Sequence, residues 1–118
     1  MLRRLEKSQG NVIGYSLSGE VTGDEFTQAA SELKDDIARE GTIRVLFRLR
    51  DVSLQSFANA VQERFEFLTE HADSIERVAI VTDDTATQLL GSVADVLPET
   101  ETETYSHDDE TEAWAWLE

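Results

Sequence analysis

The sequence contains no cysteine. Disulfides, thiolate nucleophiles and zinc–thiolate sites are therefore excluded from its chemistry. It has one proline, Pro98, and two histidines, His71 and His107, which lie far apart and match no ligand spacing such as H-E-x-x-H. No G-x-S-x-G nucleophile elbow occurs. Gly14 and Gly19 have the gap of a phosphate loop, but Glu20-Val21 stand where Lys and Ser or Thr would be required. The paired acids Asp83-Asp84 and Asp108-Asp109 fit no EF-hand pattern and read as helix-start residues. These absences predict a chain with no enzymatic activity, no metal and no cofactor. No apolar run approaches the roughly 20 residues of a membrane span. The opening residues, Met1 to Glu6, lack the apolar stretch of a secretory signal, so the expected location is cytoplasmic.

What is present is acid. The 118 residues include 25 Asp and Glu against 10 Lys and Arg, a net charge of −15. A nucleic-acid binder would need a basic footprint, and an anionic membrane would need a polybasic patch, so both are excluded as partners. The acids are dispersed along the chain, and only Lys7 and Lys34 are lysines. Dispersed carboxylates with few lysines fit a surface adapted to high salt, where counter-ions screen the self-repulsion. The alternative is a surface for a basic partner. The length and a 40% hydrophobic content predict a single domain, 1–118, with its own core.

The segments alternate in kind. In Val12–Ser18, Ile13, Tyr15 and Leu17 share one face of a strand, and Gly14, Ser16 and Ser18 share the other. Residues 2–6 are expected to pair with it as an N-terminal hairpin turning near Gly10-Asn11. Thr22 and Glu25 have capping-box spacing, and Phe26, Ala29, Ala30, Leu33 and Ile37 continue as a helical stripe that Gly41 ends. A second strand follows at 43–49. A helix with an apolar stripe runs over 54–68, capped by Ser53 or Asp51. A short apolar strand at 77–81 is followed by a helix that carries apolar residues over 86–97 and stops at Pro98. Residues 101–105 form an edge strand, and Asp108-Asp109-Glu110 open a last helix docked by Ala113, Trp114 and Leu117. The order β-β-α-β-α-β-α-β-α predicts an α/β fold with a mainly parallel sheet of about five strands and about four helices. Polar residues alternate through the strands at 12–18 and 43–50. Helices are therefore expected mainly on one face, with the other partly open.

The stretch Gly10-Asn11-Val12-Ile13-Gly14-Tyr15-Ser16-Leu17-Ser18-Gly19-Glu20-Val21-Thr22, followed by Asp24-Glu25-Phe26, resembles the opening of the SpoIIAA-like (STAS/SEC14-type) family of small proteins. The pattern continues through Gly41-Thr42-Ile43-Arg44-Val45-Leu46-Phe47, Ile75-Glu76-Arg77-Val78-Ala79-Ile80-Val81-Thr82-Asp83 and Glu112-Ala113-Trp114-Ala115-Trp116-Leu117. The resemblance implies a SpoIIAA-like βα superhelix, similar to STAS domains and to the lipid-binding CRAL-TRIO domains. Antagonist STAS domains bind a partner kinase and are switched by serine phosphorylation, whereas CRAL-TRIO domains enclose an apolar ligand.

Three residue sets follow as candidates. Ser53 and Ser56 occupy the loop that carries the phosphorylated serine in STAS domains. The Asp-Ser pair and following glycine of that motif are missing, and Arg48 replaces the usual aspartate of the preceding strand. Arg48 or Arg50 would stabilise a phosphate there, but the favoured reading of Ser53 is a helix cap. Phe47, Phe57, Phe65, Phe67 and Trp116 are candidates for an apolar ligand groove or an interface, with ordinary core packing the favoured reading. Arg44, Arg48 and Arg50 share one strand face and offer an anion contact, against a favoured reading of local ion pairing. The leading function is a non-catalytic, salt-adapted STAS-like interaction or regulatory module that forms a homodimer. The alternative is a carrier or sensor of a small apolar or amphipathic, lipid-like ligand. Salt adaptation makes a direct prediction. The melting temperature should rise from dilute buffer to molar KCl, and a flat profile would overturn that reading of the charge.

Overall fold

A computed structural model describes residues 1–19, 22–50, 70–83 and 100–118. The elements are β1 (Leu2–Arg4), β2 (Val12–Ser18), α1 (Gly23–Glu40), β3 (Ile43–Arg50), β4 (Ile75–Val81), β5 (Glu101–Tyr105) and α2 (Glu110–Leu117). Single 3-10 turns, Ala72–Ser74 and His107–Asp109, precede β4 and α2. The five strands form one sheet in the order β1-β2-β3-β4-β5. The β1–β2 pair is antiparallel and every other pair is parallel. The N-terminal hairpin is thus present, and β5 is an outer strand as its polar sequence predicts. Strand β4 begins two residues earlier than the apolar run suggests. Two α-helices stand among the described residues. The helices expected over 54–68 and 86–97 lie outside them, as do the caps Ser53 and Asp51.

Local chemistry explains the ends of these elements. Gly10 turns the hairpin at φ 61°. At the start of α1 the Glu25 amide donates to Thr22 Oγ1, and the Thr22 amide donates to Glu25 Oε1, both at 3.2 Å. The other Glu25 oxygen accepts the Leu2 amide at 2.6 Å, tying α1 to the outer side of β1. These amides hold the Glu25 carboxyl below its ordinary range. At the far end, Gly41 at φ 86° donates to Ile37 O at 2.7 Å.

Among the described residues, each face of the sheet carries one helix. On one, Ile13, Tyr15 and Leu17 of β2 and Ile43, Val45 and Leu49 of β3 pack against Ala29 and Leu33 of α1. On the other, Leu46, Ala79 and Val81 pack against Ala113, Trp114 and Leu117 of α2, with Leu5 at the margin. A register shift places Glu76 as an extra residue opposite β3, so Ile75 and Val78 both serve the α1 side. The expectation of a partly open second face is met in part: α2 covers Leu46, Ala79 and Val81, while Ser16, Arg44 and Arg48 stay partly exposed. Strand alternation signals a polar face, but it does not reveal that a short C-terminal helix returns across it.

In that second layer Gly14 lies directly beneath the Trp114 indole. A Cβ there would overlap Trp114 Cη2 and lie 2.9 Å from Trp114 Cζ2 and 3.0 Å from Leu5 Cδ1. Lys7 stands over the same indole, its Nζ 5.4 Å from the ring centroid. Gly14→Ala is therefore expected to destabilise the fold by about 1–3 kcal/mol, because the indole must give way in a filled layer. Chemical denaturation measures this. A midpoint equal to wild type would mean that α2 shifts freely on the sheet.

Candidate functional site

Ligands of parallel sheets sit beyond the carboxyl ends of the strands. Here those ends bring together Arg48 and Arg50 of β3, Asp83 after β4, and His107 and Glu110 after β5. Arg48 Nε and Nη2 donate to the two oxygens of Glu110, each at 2.5 Å. This bidentate geometry matches the guanidinium fork to a carboxylate. Trp114 Nε1, one helical turn beyond Glu110, donates to the same carboxylate at 3.2 Å. The Arg48 hydrogen bonds, the Trp114 donor and the charges of Arg48 and Arg50 hold the Glu110 carboxyl below its ordinary range against the effect of burial. The Arg48 guanidinium is raised in return, chiefly by its bond to Glu110.

The other strand arginines on this face serve the opposite end of α2. Arg44 Nη1 donates to Leu117 O at 2.8 Å and to Glu118 O at 3.1 Å, and its Nε lies 3.6 Å from Glu76. Arg77, beside Arg44 in the β3–β4 register, donates to Trp116 O at 2.6 Å and to Glu101 at 3.1 Å. Its guanidinium lies over the Trp116 ring, 5.2 Å from the centroid. Cations thus meet the terminal carbonyls, where the helix dipole is negative. The local ion pairing weighed from sequence is observed for Arg44 and Arg48, while Arg50 is exposed at the end of β3.

The remaining candidates are dispersed. Phe47 lies on the opposite face, packed on the α1-side core and stacked on Tyr15 with ring centroids 6.5 Å apart. Trp116 packs against Tyr105 at 6.4 Å. Phe57, Phe65, Phe67, Ser53 and Ser56 lie outside the described residues. Among the described residues, no group of three or more His, Asp or Glu side chains is arranged to hold a metal.

Two polar arrangements escape a reading of the sequence. Asp36 is buried on the apolar stripe of α1, and Arg4 of β1 grips it with two bonds of 2.9 and 3.2 Å. Arg39 adds a third at 2.8 Å. Tyr15, whose hydroxyl accepts from Arg4, is pushed up to about 12 by burial and then by Glu32. The spacing Leu33 to Asp36 is the available signal, since it continues the stripe with an acid. His107 is the second. Its Nε2 donates to Leu49 O at 2.9 Å in the tautomer that this carbonyl requires, and its amide donates to Asp83 at 3.2 Å. Its Nδ1 is buried and has no hydrogen-bond partner among the described residues. Nothing in the neighbouring polar sequence marks that position.

The lowered Glu110 carboxyl fixes a sign. A depressed acid contributes stability above its unfolded value of about 4.3 and loses it as pH falls through the folded value. Glu110→Gln should therefore be less stable than wild type at pH 7, with the gap closing as pH falls below about 4. Arg48→Ala should cost about 1–3 kcal/mol at pH 7. Denaturation midpoints at pH 7 and pH 3 test both. A gap that persists unchanged at pH 3 would show that the ion pair contributes nothing.

Comparison with known proteins agrees with this architecture. No curated protein and no solved structure matches the chain. A family model described as SpoIIAA-like matches residues 12–118, from the start of β2 through α2. With the match running through the parallel strands and the helix that closes their second face, the chain belongs to the SpoIIAA-like family.

Proposed function

We propose that this protein is a non-catalytic interaction module of the STAS type, working in the cytoplasm at high salt and self-associating as a dimer. The observation that supports this most is the use of the second sheet face. Arg44 and Arg48, the foremost candidates for an anion site, are engaged by α2 rather than presented to a ligand. The described aromatic candidates behave similarly: Phe47 joins a core and Trp116 is overlain by Arg77. Side chains committed to holding layers together leave function to the outer surface. Membership of the SpoIIAA-like family is consistent with that role. The dimer rests on the general prevalence of closed two-fold assemblies.

Native mass spectrometry of the full chain, purified from its own cells into ammonium acetate, tests the reading. A bare dimer is expected. A co-purifying mass of lipid size would overturn it in favour of a carrier of an apolar or amphipathic ligand. A bare monomer at every accessible concentration would remove self-association.

A further inference from the structure

The two edges of the sheet are built differently. Strand β1 has three residues, and its Leu2 amide is taken by Glu25 of α1. That edge is short and has one outward amide taken by a side chain. Strand β5 has five residues and borders only β4 among the described residues. Tyr105 O accepts from the Thr82 amide at 2.8 Å, so the Tyr105 backbone faces β4. In a strand the N–H and C=O of one residue point the same way and alternate along the chain. Glu101, Glu103 and Tyr105 therefore serve the ladder, and the backbone groups of Thr102 and Thr104 point outward. Such an edge is a template for one more strand.

Its side chains select what joins. Glu101, Glu103 and Tyr105 lie on the α2 side, and Glu112 of α2 stands nearby. The Glu103 and Glu112 charges, after burial, raise the Tyr105 phenol above its ordinary value, which reports the negative field along this border. Glu101 is matched by Arg77, whereas Glu103 is exposed and has no ion pair among the described residues. A second copy of this chain fits poorly on either count: its own β5 would set glutamate against glutamate, and its three-residue β1 edge has the Leu2 amide already taken by Glu25. We propose that the β5 edge is a docking site for an extended basic segment of another protein, added as a sixth strand with its lysines or arginines against Glu103 and Glu101. The inference rests on the reading of the protein as an interaction module and names the chemistry of its partner. Backbone bonds to Thr102 and Thr104 supply affinity, and alternate cationic side chains supply selection.

The test uses the full-length, isotope-labelled protein at the lowest salt that keeps it folded. The probe is a seven-residue peptide alternating lysine with threonine and valine. Its controls carry glutamate for lysine, or backbone N-methyl groups at alternate positions. Addition of the basic peptide should shift the Thr102 and Thr104 amides and slow their hydrogen exchange. Both controls should bind at least about tenfold more weakly. Thr104→Pro removes an outward N–H while leaving the β4 ladder its donors, and should weaken binding by a similar factor. Glu103→Lys should shift preference toward the acidic peptide. Equal binding of acidic and basic peptides, shifts confined to other surfaces, or no binding at millimolar peptide would overturn the proposal. Protection of Thr102 and Thr104 in the protein alone would overturn it in favour of self-pairing. None of these failures alters the subunit mass or retained ligand read by native mass spectrometry, so the module reading is judged separately.

Discussion

Helix α2 has eight residues, and a helix that short is not stable in water by itself. It exists because the sheet holds it at both ends. Arg48 grips Glu110 in its first turn, Arg44 and Arg77 take carbonyls of its last turn, and Gly14 leaves room for its central tryptophan. The second face of the sheet depends on this attachment. Without α2, Leu46, Ala79 and Val81 would meet water. The attachment is also non-local, since Arg48 and Glu110 stand 62 residues apart in the chain. Closing so long a loop costs chain entropy that the layer's contacts must offset.

The same pattern appears on the first face, where Arg4 reaches from β1 to the buried Asp36 of α1. In a chain so rich in carboxylates, an arginine readily finds an acid. What distinguishes these four arginines is where the acid or carbonyl sits: each makes at least one bond that joins a strand to a helix. Exposed ion pairs contribute little and fade with salt. Partly buried bidentate pairs are screened far less. A high-salt interior would therefore relieve the repulsion between surface carboxylates while leaving these internal clamps in place.

Much of this was legible in the residues. The capping box at Thr22 and Glu25, the stop at Gly41, the hairpin around Gly10 and the alternation in β2 and β3 are local signals, and each element stands where they put it. The polar face of β3 was legible too, but its covering was not. For Arg44 and Arg48 local ion pairing is the favoured reading, but the partners cannot be named until the return path of the last helix is known. Glu110 read only as a helix-start charge, because its partner lies on a distant strand. Asp36 was masked for another reason: a lone acid on an apolar stripe looks like an interruption until Arg4 is seen beside it. His107 gave no signal, since its contacts are to the Leu49 carbonyl and to Asp83, both set by the tertiary arrangement.

Strand β3 sends Ile43, Val45 and Leu49 to one layer and Arg44, Leu46 and Arg48 to the other. A slip of one residue exchanges the two sets. In a strand apolar on both sides, that slip would replace one hydrocarbon surface with another at modest cost. Here it would drive two guanidinium groups into the hydrocarbon between the sheet and α1, and strip both ends of α2 of their partners. The arginines thus act as a reading frame for the central strand. They make every odd-numbered slip of β3 expensive, and so fix which side chains face each layer.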